Sequence, residues 1–135
     1  MKKAMTIFLA VAASFLWIAG TSSSGTIETG KTDDVEYMTG GVGIDERQQM
    51  EEMAKAYNLK AIFVTTSGGY LSDIAITITK TSGEKVLDAK SNGPWFFAKL
   101  PQGAYSIKAV YKGTEKKQTV EVGPGLKSVI FAWKT

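Results

Sequence analysis

The chain has 135 residues, 16 of them basic and 13 acidic, for a formal charge of +3, and it contains neither cysteine nor histidine. Without those two residue types there are no disulfide staples, no Ser-His or Cys-His nucleophile systems, and no His-ligated zinc or iron. A core sufficient for stability has to come from apolar burial alone.

Lys2 and Lys3 precede an uncharged apolar stretch from Ala4 to Ala19, and small residues from Gly20 to Ser24 follow it. A short positive region, an apolar run and a small-residue cut site make up a secretory signal peptide. Residues 1–22 are therefore expected to be one, cleaved close to Ser22. The run is short for a hydrocarbon core of ~30 Å, so no stable membrane span is expected after cleavage. The remaining chain is expected to be periplasmic or secreted. Removing Lys2 and Lys3 leaves 14 basic residues against 13 acidic. That near-neutral balance does not point to nucleic acid as a partner.

Residues 23–43 are rich in Ser, Thr and Gly with scattered charge, and they read as a flexible leader. Residues 44–134 are expected to form the folded domain. Its first element is a helix over 45–57, capped by Asp45 with Gln48 three positions on. Met50, Met53, Ala54 and Tyr57 give that helix one apolar stripe for packing on the domain's own sheet. Asn58 reads as its stop.

From Leu59 the period changes to two. Residues 59–66 are apolar on both faces, with Leu59, Ala61 and Phe63 on one side and Ile62 and Val64 on the other. One face suits a sheet core and the other needs a cover, which the preceding helix can supply. Ile74, Ile76 and Ile78 then alternate with Ala75, Thr77 and Thr79. Further strands are predicted at 85–91, 95–100, 104–112, 116–122 and 126–134, separated by turns rich in Gly, Pro and Asn. Tyr105, Ile107, Ala109 and Tyr111 share one face, as do Val129, Phe131 and Trp133. The expected fold is mainly β: a seven-stranded antiparallel Ig-like or prealbumin-like β-sandwich with one N-terminal amphipathic helix.

The stretch from Asn92-Gly93 through Trp95 and Phe97 to Leu100-Pro101, Gly103 and Tyr105 resembles the carboxypeptidase regulatory-like domain. That is a transthyretin-like sandwich, also found alone in short exported bacterial proteins. The family pattern is an Asp-Gly, aromatics two and four residues later, then Leu-Pro-x-Gly-x-Tyr. Here Asn92 replaces the Asp, and Pro94 after the Gly is a second departure from the pattern. The likeness covers residues 59–134 and implies a non-catalytic domain. It also implies that Trp95 and Phe97 point inward and Phe96 points out, and that Tyr105 starts a core face with its hydroxyl free to hydrogen-bond.

Chemistry is sparse. Asp73 and Asp88 read as a turn residue and a solvated face rather than an acid-base pair. Gly40-Gly41-Val42-Gly43 lacks the Lys-Ser/Thr ending of a phosphate loop. No catalytic residue, cofactor or metal is expected, so an enzyme is not. Phe96, Tyr70 and Pro94 are the candidate contacts for a ligand or partner, unless the helix covers Phe96. Lys108, Lys112, Lys116 and Lys117 read as charges that blunt a sheet edge. The expected role is a non-catalytic exported interaction or structural accessory module of the cell envelope, with an envelope protein as partner. The alternative is a module that binds carbohydrate or a small envelope ligand through exposed aromatics. A glycan binder should present two or more coplanar exposed aromatics, and an interaction module an apolar patch or open strand edge.

Overall fold

In chain order the elements are β1 (Glu28–Thr32), β2 (Val35–Gly40), α1 (Ile44–Met53), a 3-10 turn (Ala54–Ala56), β3 (Leu59–Thr65), β4 (Ala75–Lys80), β5 (Lys85–Lys90), β6 (Trp95–Lys99), β7 (Gly103–Tyr111), β8 (Thr114–Val122) and β9 (Lys127–Trp133). They come from a computed structural model that describes residues 27–32 and 34–134. The expected signal peptide at 1–22 lies outside the described residues. The strands form two sheets, β1-β2-β6-β3-β9 and β5-β4-β7-β8.

The mainly β architecture agrees with the sequence, and each of the seven expected strands is present within two residues of its expected bounds. The count, however, is nine. Both extra strands lie in the segment read as a flexible leader, where β1 and β2 pair antiparallel from Glu28↔Thr39 to Thr32↔Val35. Their turn runs through Asp34 at φ 69°, a left-handed conformation that Asp tolerates better than most residues. This hairpin has few apolar residues because its outer strand sits at a sheet edge and is held by backbone pairing. Val35 and Met38 alone are buried apolar anchors within it. The sheets are not wholly antiparallel either. β3 and β9 run parallel, from Leu59↔Lys127 to Thr65↔Trp133.

The space between the sheets is filled by the faces that the alternation predicted. Leu59, Ala61 and Phe63 meet Ile74, Ile76, Ile78, Tyr105, Ile107 and Ala109, with Phe131 and Trp133 closing one side. The Tyr105 hydroxyl donates to the Pro101 carbonyl at 2.6 Å, so the ring is buried while its polar tip is satisfied. β7 and β8 join through Lys112 at φ 47° and Gly113 at φ 83°, the two-residue turn whose twist matches a hairpin.

The orientation of β6 is the reverse of what the family likeness implies. Ala61 pairs with Phe96, while Lys60 pairs with Phe97 and Ile62 with Trp95. Phe96 therefore lies inside the sandwich, stacked on Tyr37 at 5.3 Å between centroids. Trp95 and Phe97 lie on the outer face beneath α1, with Met38 and Met50. Trp95, Phe96, Phe97 and Ala98 are all buried, so no alternation in the sequence marks the inside.

The helix is shorter than expected, and its N-cap is Gly43 with no side-chain cap. Asp45 lies in the first turn without capping it, and Glu46 instead ties the helix to the loop before it. Its Oε1 accepts the Gly41 N–H at 2.9 Å and the Val42 N–H at 3.3 Å.

Candidate interaction face

The outer face of the five-stranded sheet is divided lengthwise. Over β2 and β6 it is covered: Met50 of α1 sits on Met38, Trp95 and Phe97, and Tyr57 packs on Phe97 at 5.9 Å. Over β3 it is half-buried, with Ile62 against that same cluster, and over β9 it is open. Here the outward residues are Lys60, Ile62 and Val64, beside Ser128, Ile130 and Ala132. The parallel register places Ile62 next to Ile130 and Val64 next to Ala132.

Three polar side chains fix the boundary between the halves. Lys60 lays its Nζ 3.6 Å from the Trp95 ring centroid and 5.6 Å from that of Phe97, a cation–π contact at the foot of the helix. Burial lowers its pKa, and the negative charge of Glu51 partly offsets that. At the other end of α1, Arg47 Nη1 donates to the Gly41 and Val42 carbonyls at 2.7 and 3.3 Å. The same guanidinium stands 5.0 Å from the Tyr70 ring centroid. Tyr70 in turn bridges to Val64.

Among the described residues, the exposed large apolar side chains are Val42, Ile44, Met53, Tyr70, Leu126 and Ile130. Val42, Ile44 and Met53 mark the two ends of α1, Tyr70 adjoins Arg47, and Leu126 leads into β9. Ile130, 58% exposed, stands in the middle of the open strip. Ile44 and Met53 belong to the helix, and Ile130 to the same outer face of the sheet. The outer face of the other sheet instead carries Thr77, Thr79, Ser106, Lys108, Lys117 and Thr119. There Lys108 and Lys117 are directly opposed across β7 and β8, an arrangement that discourages further strand addition.

The three candidate contacts are not brought together. Phe96 is fully buried between the sheets. Pro94 is buried too, its carbonyl accepting the Phe63 N–H at 2.8 Å. Tyr70 alone is exposed, at 55%. Its neighbours Arg47 and Val64, and Ile130 on β9, were missed as site residues. The run of apolar residues on both faces of 59–66 was the signal for them, because a cover over one face was required and only part of it is supplied.

Asp73 is a loop residue at φ 61°, with its N–H donating to the Ser91 carbonyl at 2.9 Å. Asp88 pairs with Lys85 at 3.2 Å on the surface. Among the described residues, no three His, Cys, Asp or Glu side chains converge as metal ligands, and no helix is long and apolar enough to cross a membrane. A scan against protein-family models finds no match to this chain, and a search of curated proteins finds none either.

Proposed function

We propose that this chain is a non-catalytic exported interaction module of the cell envelope, working through the open β3–β9 strip and the flank of α1. The observation that carries the reading is where large apolar side chains are exposed: Ile44 and Met53 on the helix, Ile130 on the outer face of β9 and Tyr70 beside Arg47, with none of that size exposed among Thr77, Thr79, Ser106, Lys108 and Val110 of the other sheet. A contiguous apolar patch rimmed by polar groups is the usual mark of an interaction surface. The finer fold assignment, a carboxypeptidase regulatory-like sandwich, rests on the Asn92–Tyr105 sequence pattern and on the Tyr105–Pro101 bond that ties its turn. Export rests on the composition of residues 1–22.

The glycan-binding alternative needs coplanar exposed aromatics, and among the described residues Tyr70 is the one aromatic of the exposed large apolar side chains. That favours a protein partner. A photo-crosslinking amino acid placed at Ile130 should give discrete adducts in intact cells, and the same group at Thr77 should give none. Adducts of equal yield from both positions, or none from Ile130, would overturn the assignment of the face.

A further inference from the structure

Resting on that reading of the face, we infer that its occupant is a second copy of this chain, paired about a two-fold axis parallel to the strands. The helix makes a ridge on one half of the sheet, and β3–β9 leave a shelf on the other. The two-fold that lies in the contact plane along the strands sets the ridge of each copy on the shelf of the other, an isologous and closed arrangement. The dimensions agree. A ten-residue helix is about 15 Å long, and a seven-residue strand about 23 Å.

The charges agree as well. The ridge carries Asp45, Glu46, Glu51 and Glu52 against Arg47 and, on the turn that continues it, Lys55. The outward positions of the shelf, with Lys134 after them, carry Lys60 and Lys134 and no carboxylate, Lys127 standing at the other parity of β9. Helix direction sets the pairing in detail. Arg47 meets Tyr70, which bridges to Val64, so the N-terminus of α1 lies at the Val64–Ala132 end and its C-terminus at the Leu59 end. In the paired molecule Ile44 and Asp45 of one copy reach Ala132 and Lys134 of the other, while Met53 reaches Leu126. The alternative two-fold, across the strands, sets acidic helix against acidic helix and leaves both shelves bare. Complementary sign at the rim and apolar contact at the centre are the ordinary division of an interface.

The test is sedimentation or light scattering on the purified protein, which should give twice the mass of the single chain in the micromolar range. Ile130→Glu should give the single-chain mass with an unchanged near-ultraviolet circular dichroism spectrum, because residue 130 faces solvent within one chain. Lys134→Glu and Asp45→Lys should each weaken association about tenfold, and the double variant should recover most of the loss. Thr77→Glu, on the opposite face, should change nothing. A single-chain mass throughout that range, a dimer indifferent to Ile130→Glu, or a double variant no better than the single ones would overturn the pairing. A single-chain mass with crosslinks from residue 130 to a different polypeptide overturns the pairing alone. Absence of any crosslink there overturns the interaction face itself.

Discussion

Asn58 engages every polar group it possesses. Its N–H donates to the Ala98 carbonyl at 3.1 Å, and its own carbonyl accepts from Lys127 at 3.0 Å. Its Oδ1 accepts the Leu100 N–H at 2.9 Å, while Nδ2 donates to the Leu100 carbonyl at 2.7 Å and the Gly123 carbonyl at 3.4 Å. One side chain thus joins the start of β3, the end of β6 and the loop before β9. Asn58→Ala leaves both backbone groups of buried Leu100 unpaired and should cost about 2–4 kcal/mol in a urea titration. Asn58→Asp keeps the acceptor but sets a carboxylate oxygen against the Leu100 carbonyl. The fold then raises that carboxyl's pKa, so the stability of this variant should be higher near pH 4 and fall as pH rises through the folded pKa. A variant equally stable at pH 4 and pH 7 would contradict the clamp. Gly93 is constrained differently: a Cβ there meets the Gly40 carbonyl carbon and oxygen. The Asn-Gly of the sequence pattern is therefore read as a turn but serves as the close approach of β2 to the start of β6.

At the scale of elements, strands with one wet face were the legible ones. β4 illustrates it, with Ile76 and Ile78 fully buried and Thr77 and Thr79 half-exposed. Ile76→Ala should cost about 2–5 kcal/mol, and Thr77→Ala well under 1 kcal/mol. Equal losses in denaturant titrations would mean the faces are misassigned. β6 was legible as a strand but not in its orientation, because helix and sandwich bury both of its faces and alternation carries no sign. The β1–β2 hairpin was missed for the opposite reason. Its residues are polar, β1 lies at an edge, and what fixes it is five backbone-paired positions and the Met38 and Val35 anchors. The open strip was half-legible: Ile62 and Val64 announced a face in need of cover, but Met53, expected beneath the helix, is exposed.

For the whole molecule, ionisation matters at alkaline pH. Burial raises the pKa of Tyr57, helped by the charge of Glu36, and burial raises that of Tyr105 against the opposing Lys80. Both phenols hold their protons longer in the fold than in the unfolded chain, whose value is 10.0. Their contribution is therefore complete below that pH and lost as pH climbs through the raised folded values. Lys60 acts in the other direction. Its folded pKa lies below 10.5, so stability rises as pH passes from the folded value toward the unfolded one. Tyr57→Phe should soften the alkaline loss of stability and Lys60→Met should sharpen it, read as melting temperature between about pH 9 and 11. The same slope in all three proteins would remove these groups from the alkaline transition.

The parallel pairing of β3 with β9 has a consequence for when the molecule can fold. Residues 59–65 wait for residues 127–133 before the five-stranded sheet gains its last edge, and Asn58 waits for Lys127 to complete its clamp. Contacts so distant along the chain form late, since the loop between them has to be ordered first. A chain emerging from a narrow passage with its N-terminus leading cannot lock this sheet until residues 127–133 have come through. Until then it stays threadable. A chain ending at Gly125 should accordingly lack a native near-ultraviolet circular dichroism signal, whereas one that folds without β9 would show that closure is not the final step.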